Sequence, residues 1–127
     1  MFKLNKSVGT CMPPFEYVPG NPDESFADGE ALSISGGYLT KATTSPEFIC
    51  VGDHVGDGVA TIPVMRINET IEFATEFTAD AADIKIGDKV GVSEDGLGVT
   101  ATTDGCFMVS GMAGTGVGAI CTGFFRR

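Results

Sequence analysis

The sequence has no tryptophan and, in 127 residues, a single histidine, His54. Histidine-based acid–base catalysis and histidine-rich metal sites therefore have little to draw on. The four cysteines (Cys11, Cys50, Cys106, Cys121) form no Cys-x-x-Cys pair, whereas closed zinc sites usually take two ligands from one tight turn. Cations are scarce: eight Lys and Arg stand against 17 Asp and Glu, a net charge of −9. A nucleic-acid surface needs clustered cations to displace counterions, so direct nucleic-acid binding is not expected. Long apolar runs are also missing. The longest candidate, residues 106–125, is cut by five glycines and reads as packed strands, so no membrane partner is expected. Met1-Phe2-Lys3-Leu4-Asn5-Lys6 lacks the apolar core of a secretory leader. The expected setting is the cytoplasm, with reduced thiols acting mostly as small buried hydrophobes.

What is abundant is glycine, 18 residues spread along the chain, about twice the ~7% of an average protein. With apolar residues at 43%, the pattern is many turns between short strands in one mainly β domain. Residues 21–30 and 69–83 carry acids and no base, while 105–127 carry no acid. An acidic, solvated face is the simple reading; a surface that meets a complementary partner is the functional one.

Residues 1–25 stand apart in composition. They hold four of the six prolines, Pro13, Pro14, Pro19 and Pro22, and proline removes amide donors, so no central strand or helix is expected there. The same stretch carries Phe2, Leu4, Val8, Met12, Phe15, Tyr17 and Val18. An apolar arm of this kind either lies across its own domain or, the reading favoured here, reaches onto a neighbouring subunit or partner. Those seven residues are the candidate partner-binding set.

From Phe26 the body begins. Ala31-Leu32-Ser33-Ile34-Ser35 alternates, Gly36-Gly37 makes a two-residue hairpin turn, and Tyr38-Leu39-Thr40-Lys41 returns. Phe48 to Val51 reads as a buried strand. Val59 to Ile67 reads as an edge or bulged strand because of Pro63. Residues 70–78 read as a strand and the alanine-rich 79–83 as a short turn of helix. Ile84-Lys85-Ile86-Gly87-Asp88-Lys89-Val90-Gly91-Val92 is strand, corner, strand, and residues 105–127 are expected to pack back onto it. Strands are also expected at 99–102, 107–109 and 119–125.

Three constellations invite a chemical reading. Gly114-Thr115-Gly116-Val117-Gly118 resembles a phosphate loop but has no following helix and no base. Asp53, His54 and Asp57 lack the alternating ligands and closing Glu of a calcium loop. Glu72 and Glu76 suggest a glycosidase pair, but the sugar-stacking aromatics are missing. No enzyme, metal or cofactor is expected.

Taken in order, Gly29-Glu30-Ala31-Leu32, Gly36-Gly37-Tyr38-Leu39, Ile62-Pro63-Val64-Met65-Arg66-Ile67, Glu72-Phe73-Ala74-Thr75, Ile84–Val90 and Gly98-Val99-Thr100-Ala101-Thr102-Thr103 resemble the small capsid decoration (cement) proteins of tailed bacteriophages. The resemblance covers residues 28–127, and its motifs are turn patterns whose order carries it. It implies a small compact β-barrel or β-sandwich, β-tulip-like, with an extended N-terminal arm (1–25), a single β domain (26–127) and at most one short helix. It further implies a non-enzymatic, commonly trimeric virion protein on the capsid exterior. Its partner would be the major capsid protein, engaged through the arm. Another phage head, tail or head-fibre component, or a ligand-binding β module, is the alternative.

Overall fold

The alternation around Gly36-Gly37 folds as read. In the computed structural model, which describes residues 1–7, 15–42, 44–53 and 61–126, β3 (Ala31–Ser35) and β4 (Tyr38–Lys41) form a hairpin. Gly36 and Gly37 both have positive φ, 61° and 86°, the backbone a tight hairpin turn requires and glycine supplies without strain.

The other strands are β1 (Lys3–Ser7), β2 (Phe15–Pro19), β5 (Phe48–Cys50), β6 (Thr61–Arg66), β7 (Ile71–Glu76), β8 (Lys89–Val90), β9 (Phe107–Met112) and β10 (Ile120–Phe125). They form two five-stranded antiparallel sheets, ordered β1-β7-β10-β9-β8 and β2-β6-β5-β3-β4. The described residues form an all-β sandwich without a helix, and neither sheet closes into a barrel. Among the described residues no helix is long and apolar enough to cross a membrane.

The main core lies between the sheets. Phe73, Phe107, Val109 and Phe125 of the first sheet meet Ala31, Ile49 and Met65 of the second. A second cluster, including Leu32, Leu39, Phe48, Ile62 and Val64, fills the opposite face of the second sheet under Phe26. That sheet curls until Gly20, just after β2, makes a single parallel bridge with Leu39 of β4. The approach is close: a Cβ on Gly20 would lie 2.7 Å from Ile62 and 2.8 Å from Phe26.

Five expectations are corrected, the first being the strand expected before the Gly87 corner: residues 84–86 form none, and only Lys89–Val90 of that stretch pairs as a strand. Residues 79–83 form bends and turns, not a helical turn. There Asp80 Oδ1 accepts the Ala82 N–H at 3.0 Å, and the Ala81 N–H goes to the distant Thr115 carbonyl at 2.7 Å, so side-chain and tertiary acceptors displace the helical ones. Residues 99–102 make no strand, only isolated bridges at Val99. Pro63 sits in β6, an interior strand between β2 and β5. Its carbonyl accepts from Val51 N–H just past the end of β5, so the missing donor falls where that ladder runs out. Finally, the described part of residues 1–25 is not a separate arm: β1 and β2 are edge strands, one in each sheet. Phe2 is 2% exposed in the main core. Proline-rich flanks are compatible with edge strands, and Phe2, Leu4 and Val18 find docking sites within their own domain.

Candidate functional site

The Ile84–Val92 corner serves as scaffold. Gly87 takes a φ of 98°, Asp88 Oδ2 accepts the Lys85 N–H at 2.9 Å, and the Gly87 N–H donates to Val109 O at 2.8 Å. The corner is thereby pinned to β9, as expected of the 105–127 stretch.

Large apolar side chains are exposed at several places, Ile86 and Val117 among them, and of the described candidate partner-binding residues the exposed ones are Phe15 and Tyr17 on β2. Its residues alternate, with Phe15 and Tyr17 on one face and Glu16 and Val18 on the other. Val18 packs against the second core cluster. Glu16 receives two hydrogen bonds from the Arg66 guanidinium, 2.9 Å from Nε and 2.8 Å from Nη2, and Arg66 also stacks over Phe48 at 4.8 Å. The Arg66 hydrogen bond holds the Glu16 carboxyl below its ordinary value. This fork clamps β2 to β6.

Backbone geometry then fixes the outer edge. Tyr17 lies opposite Pro63, whose carbonyl points the other way, to Val51. In an antiparallel pair, opposed residues both face in or both face out, so the Tyr17 N–H and C=O point outward, as do those of Phe15. The exposed edge therefore carries main-chain hydrogen-bonding groups and two aromatic rings, Phe15 54% and Tyr17 69% exposed. Pro19 ends it without a donor. Beside Phe15 a groove of about 320 Å³ opens between the sheets, lined by Met1, Leu4, Ile49 and Met65 among others.

The seven candidate residues are thus divided. Phe2 is in the core, with its ring 5.7 Å from Phe107 and 5.3 Å from Phe125. Leu4 is partly buried against the same cluster, and Val18 faces the second. Phe15 and Tyr17 are presented together. Val8 and Met12 lie outside the described residues.

The other constellations do not assemble into chemistry. Glu72 bonds to Asn5 Nδ2 and, at 2.7 Å, to the Ser110 hydroxyl, while Glu76 pairs with the Met1 amino group at 2.8 Å. Asp53 Oδ1 accepts the Asp28 N–H at 2.8 Å; His54 and Asp57 lie outside the described residues. The 114–118 loop is a turn with Gly118 at φ 85°. Among the described residues no group of three His, Cys, Asp or Glu is disposed to hold a metal. Cys50 and Cys121 are buried thiols, and burial pushes the Cys121 thiol up to about 12.

One residue of chemical interest was not singled out in the sequence. Glu30 is 2% exposed, Lys41 Nζ lies 3.4 Å from its Oε1, and its buried Oε2 has no hydrogen-bond partner. Nothing in the local pattern marks it, because burial comes from loop 93–97 folding over the start of β3: the Ala31 N–H donates to Gly96 O at 2.8 Å. Burial raises the Glu30 carboxyl above 4.5, with Lys41 opposing and Glu24 reinforcing. The folded state therefore holds this proton more tightly than the unfolded chain does. The associated stabilisation is present below pH 4.5 and declines as pH rises through the raised value. Replacing Glu30 with Gln should flatten that decline, as read by urea melts between pH 4 and 7; an unchanged slope would assign it to other acids.

Comparison with family models and with curated proteins finds no match to this chain.

Proposed function

We propose that this chain is a virion structural protein that binds the outside of an assembled phage capsid and stabilises it. The major capsid protein is its partner and a homotrimer its working form. The family resemblance supplies that identity. The observation that carries the binding role is the outward edge of β2, where Phe15 and Tyr17 present rings and main-chain groups side by side. An extended segment of a capsid subunit adding to this edge would gain ladder hydrogen bonds for affinity and aromatic contacts for specificity. Threefold repetition would multiply three modest contacts into strong retention. On this reading the binding group is a strand edge, where the sequence alone pointed to an extended arm.

Sedimentation with undecorated, expanded capsids tests the proposal. The protein should co-sediment at micromolar concentration, and Phe15→Ser with Tyr17→Ser should weaken binding strongly. Buried aromatic anchors are commonly worth about 2 kcal/mol each, roughly 30-fold in affinity. Absence of the wild-type protein from the capsid pellet overturns the reading. Equal pelleting of wild type and double variant overturns the assignment of the edge.

A further inference from the structure

Glu30 lies in the wall of a recess of about 450 Å³ bordered by Phe26, Leu97, Asp53 and Asp95. Its charge balance is unequal: three carboxylates face one ammonium, that of Lys41. Lys41 meets only Oε1, from a side chain 47% exposed, while that of Glu30 is 3% exposed. Oε2 is buried without a donor. Carboxylate oxygens in that state are rare in folded proteins because the lost hydration goes uncompensated. Among the described residues, the hydrogen bonds to the two acids at the rim fall on one oxygen of each. Asp53 Oδ1 takes the Asp28 N–H, and Asp95 Oδ1 takes the Ser93 hydroxyl at 2.6 Å and the Leu97 N–H at 3.0 Å.

From this arrangement we infer a binding site for a basic side chain, Lys or Arg, carried by a partner protein. The acids do not converge as metal ligands, which argues against a bare cation. The walls argue for an organic one: Phe26 and Leu97 offer apolar surface on which the methylenes of a long basic side chain lie while its head reaches carboxylate oxygens. A net charge of −9 adds long-range attraction for such a partner. Lys41 then acts as an internal stand-in, satisfying half of Glu30 until the incoming group arrives. The site stands independently of the capsid reading, since it is defined by the recess alone.

The test is titration of the intact protein with agmatine, which carries a guanidinium on a four-carbon stem, followed by amide NMR shifts. Butylamine and magnesium chloride serve as parallel arms. Saturable shifts centred on residues 26–30, 41 and 95–97 are expected with both organic cations. Glu30→Gln should weaken binding about tenfold or more, and Asp53→Asn, at the exposed rim, should weaken it less. Lys41→Met removes the internal competitor and should tighten binding, a gain that a purely structural Glu30 would not produce. Saturation by magnesium alone, shifts spread over all acidic surfaces, or indifference to Lys41→Met would each overturn the inference. Capsid sedimentation reads the β2 edge separately, so failure of one proposal is distinguishable from failure of the other.

Discussion

Phe107→Ala is expected to destabilise the protein by about 3–5 kcal/mol, the usual range for truncating a buried aromatic. Phe107 is fully buried. Its ring meets Phe2 edge-on at 5.7 Å and Phe125 at 5.1 Å, and Phe125 in turn meets Phe73 at 5.7 Å. Four rings from β9, β10, β7 and the segment before β1 thus share one contact set. Alanine would remove the ring that Phe2 and Phe125 both lean on, leaving a cavity that three separate backbone elements would have to collapse together to fill. Against a total stability of about 5–15 kcal/mol, the melting temperature should fall on the order of 10–20 °C. Phe124→Ala supplies the contrast. That side chain points outward under Arg126 at 5.0 Å, an arrangement worth about 1 kcal/mol. Similar losses for the two variants would mean that the aromatic cluster is not the centre of the core.

Gly105→Ala should be comparably damaging for the opposite reason, too little space. A Cβ at Gly105 would fall inside the van der Waals shells of the Val90 carbonyl oxygen and of Gly91 N and Cα. All three are backbone atoms, so no rotamer change relieves the clash. The chain at 89–91 must move away, and with it the pairing of Val90 with Phe107. Overpacking of this kind costs about 1–3 kcal/mol, more where the neighbour is rigid, and the upper end is expected here. Gly36→Ala isolates the conformational part. It has open space around its Cβ and only a φ of 61° to resist, for about 1–2 kcal/mol. Urea melts of both variants decide it: a Gly105→Ala loss no greater than that of Gly36→Ala would show that the crossing adapts.

How much of this was legible in the sequence depended on whether the deciding interaction was local. The β3–β4 hairpin was readable because Gly36-Gly37 and its flanking alternation contain all the information the turn needs. The turn at Gly87-Asp88 was readable for the same reason, whereas the strand expected before it at 84–86 does not form. Residues 79–83 were not, since the acceptor for Ala81 N–H lies at Thr115, more than thirty residues on. Pro63 misled because an absent donor rules out an interior strand only where a neighbour extends far enough to need it, and β5 stops at Cys50. Among the described residues before 25 no central strand forms, as the prolines implied, yet composition could not distinguish an extended arm from two edge strands. For the β2 edge, the alternation of Phe15 and Tyr17 with Glu16 and Val18 was visible, but which pair faced out depended on Arg66, fifty residues away. Glu30 looked like any surface acid; only the loop that folds over it makes it unusual.

The pairing of β1 with β7 and of β2 with β6, together with Phe2 touching Phe125, also governs how the chain reaches its fold. The earliest-made strands have no partners until more than forty residues have followed, and the aromatic cluster cannot close before residue 125 exists. Pairings so distant in sequence make folding slow, in the range of milliseconds to seconds. Until then the Phe2 ring and both unpaired edges remain exposed to other chains, a state prone to aggregation. On the ribosome, therefore, the two sheets are made unequally: every strand of β2-β6-β5-β3-β4 exists by residue 66, whereas β1 and the aromatic cluster must wait for β7 to β10.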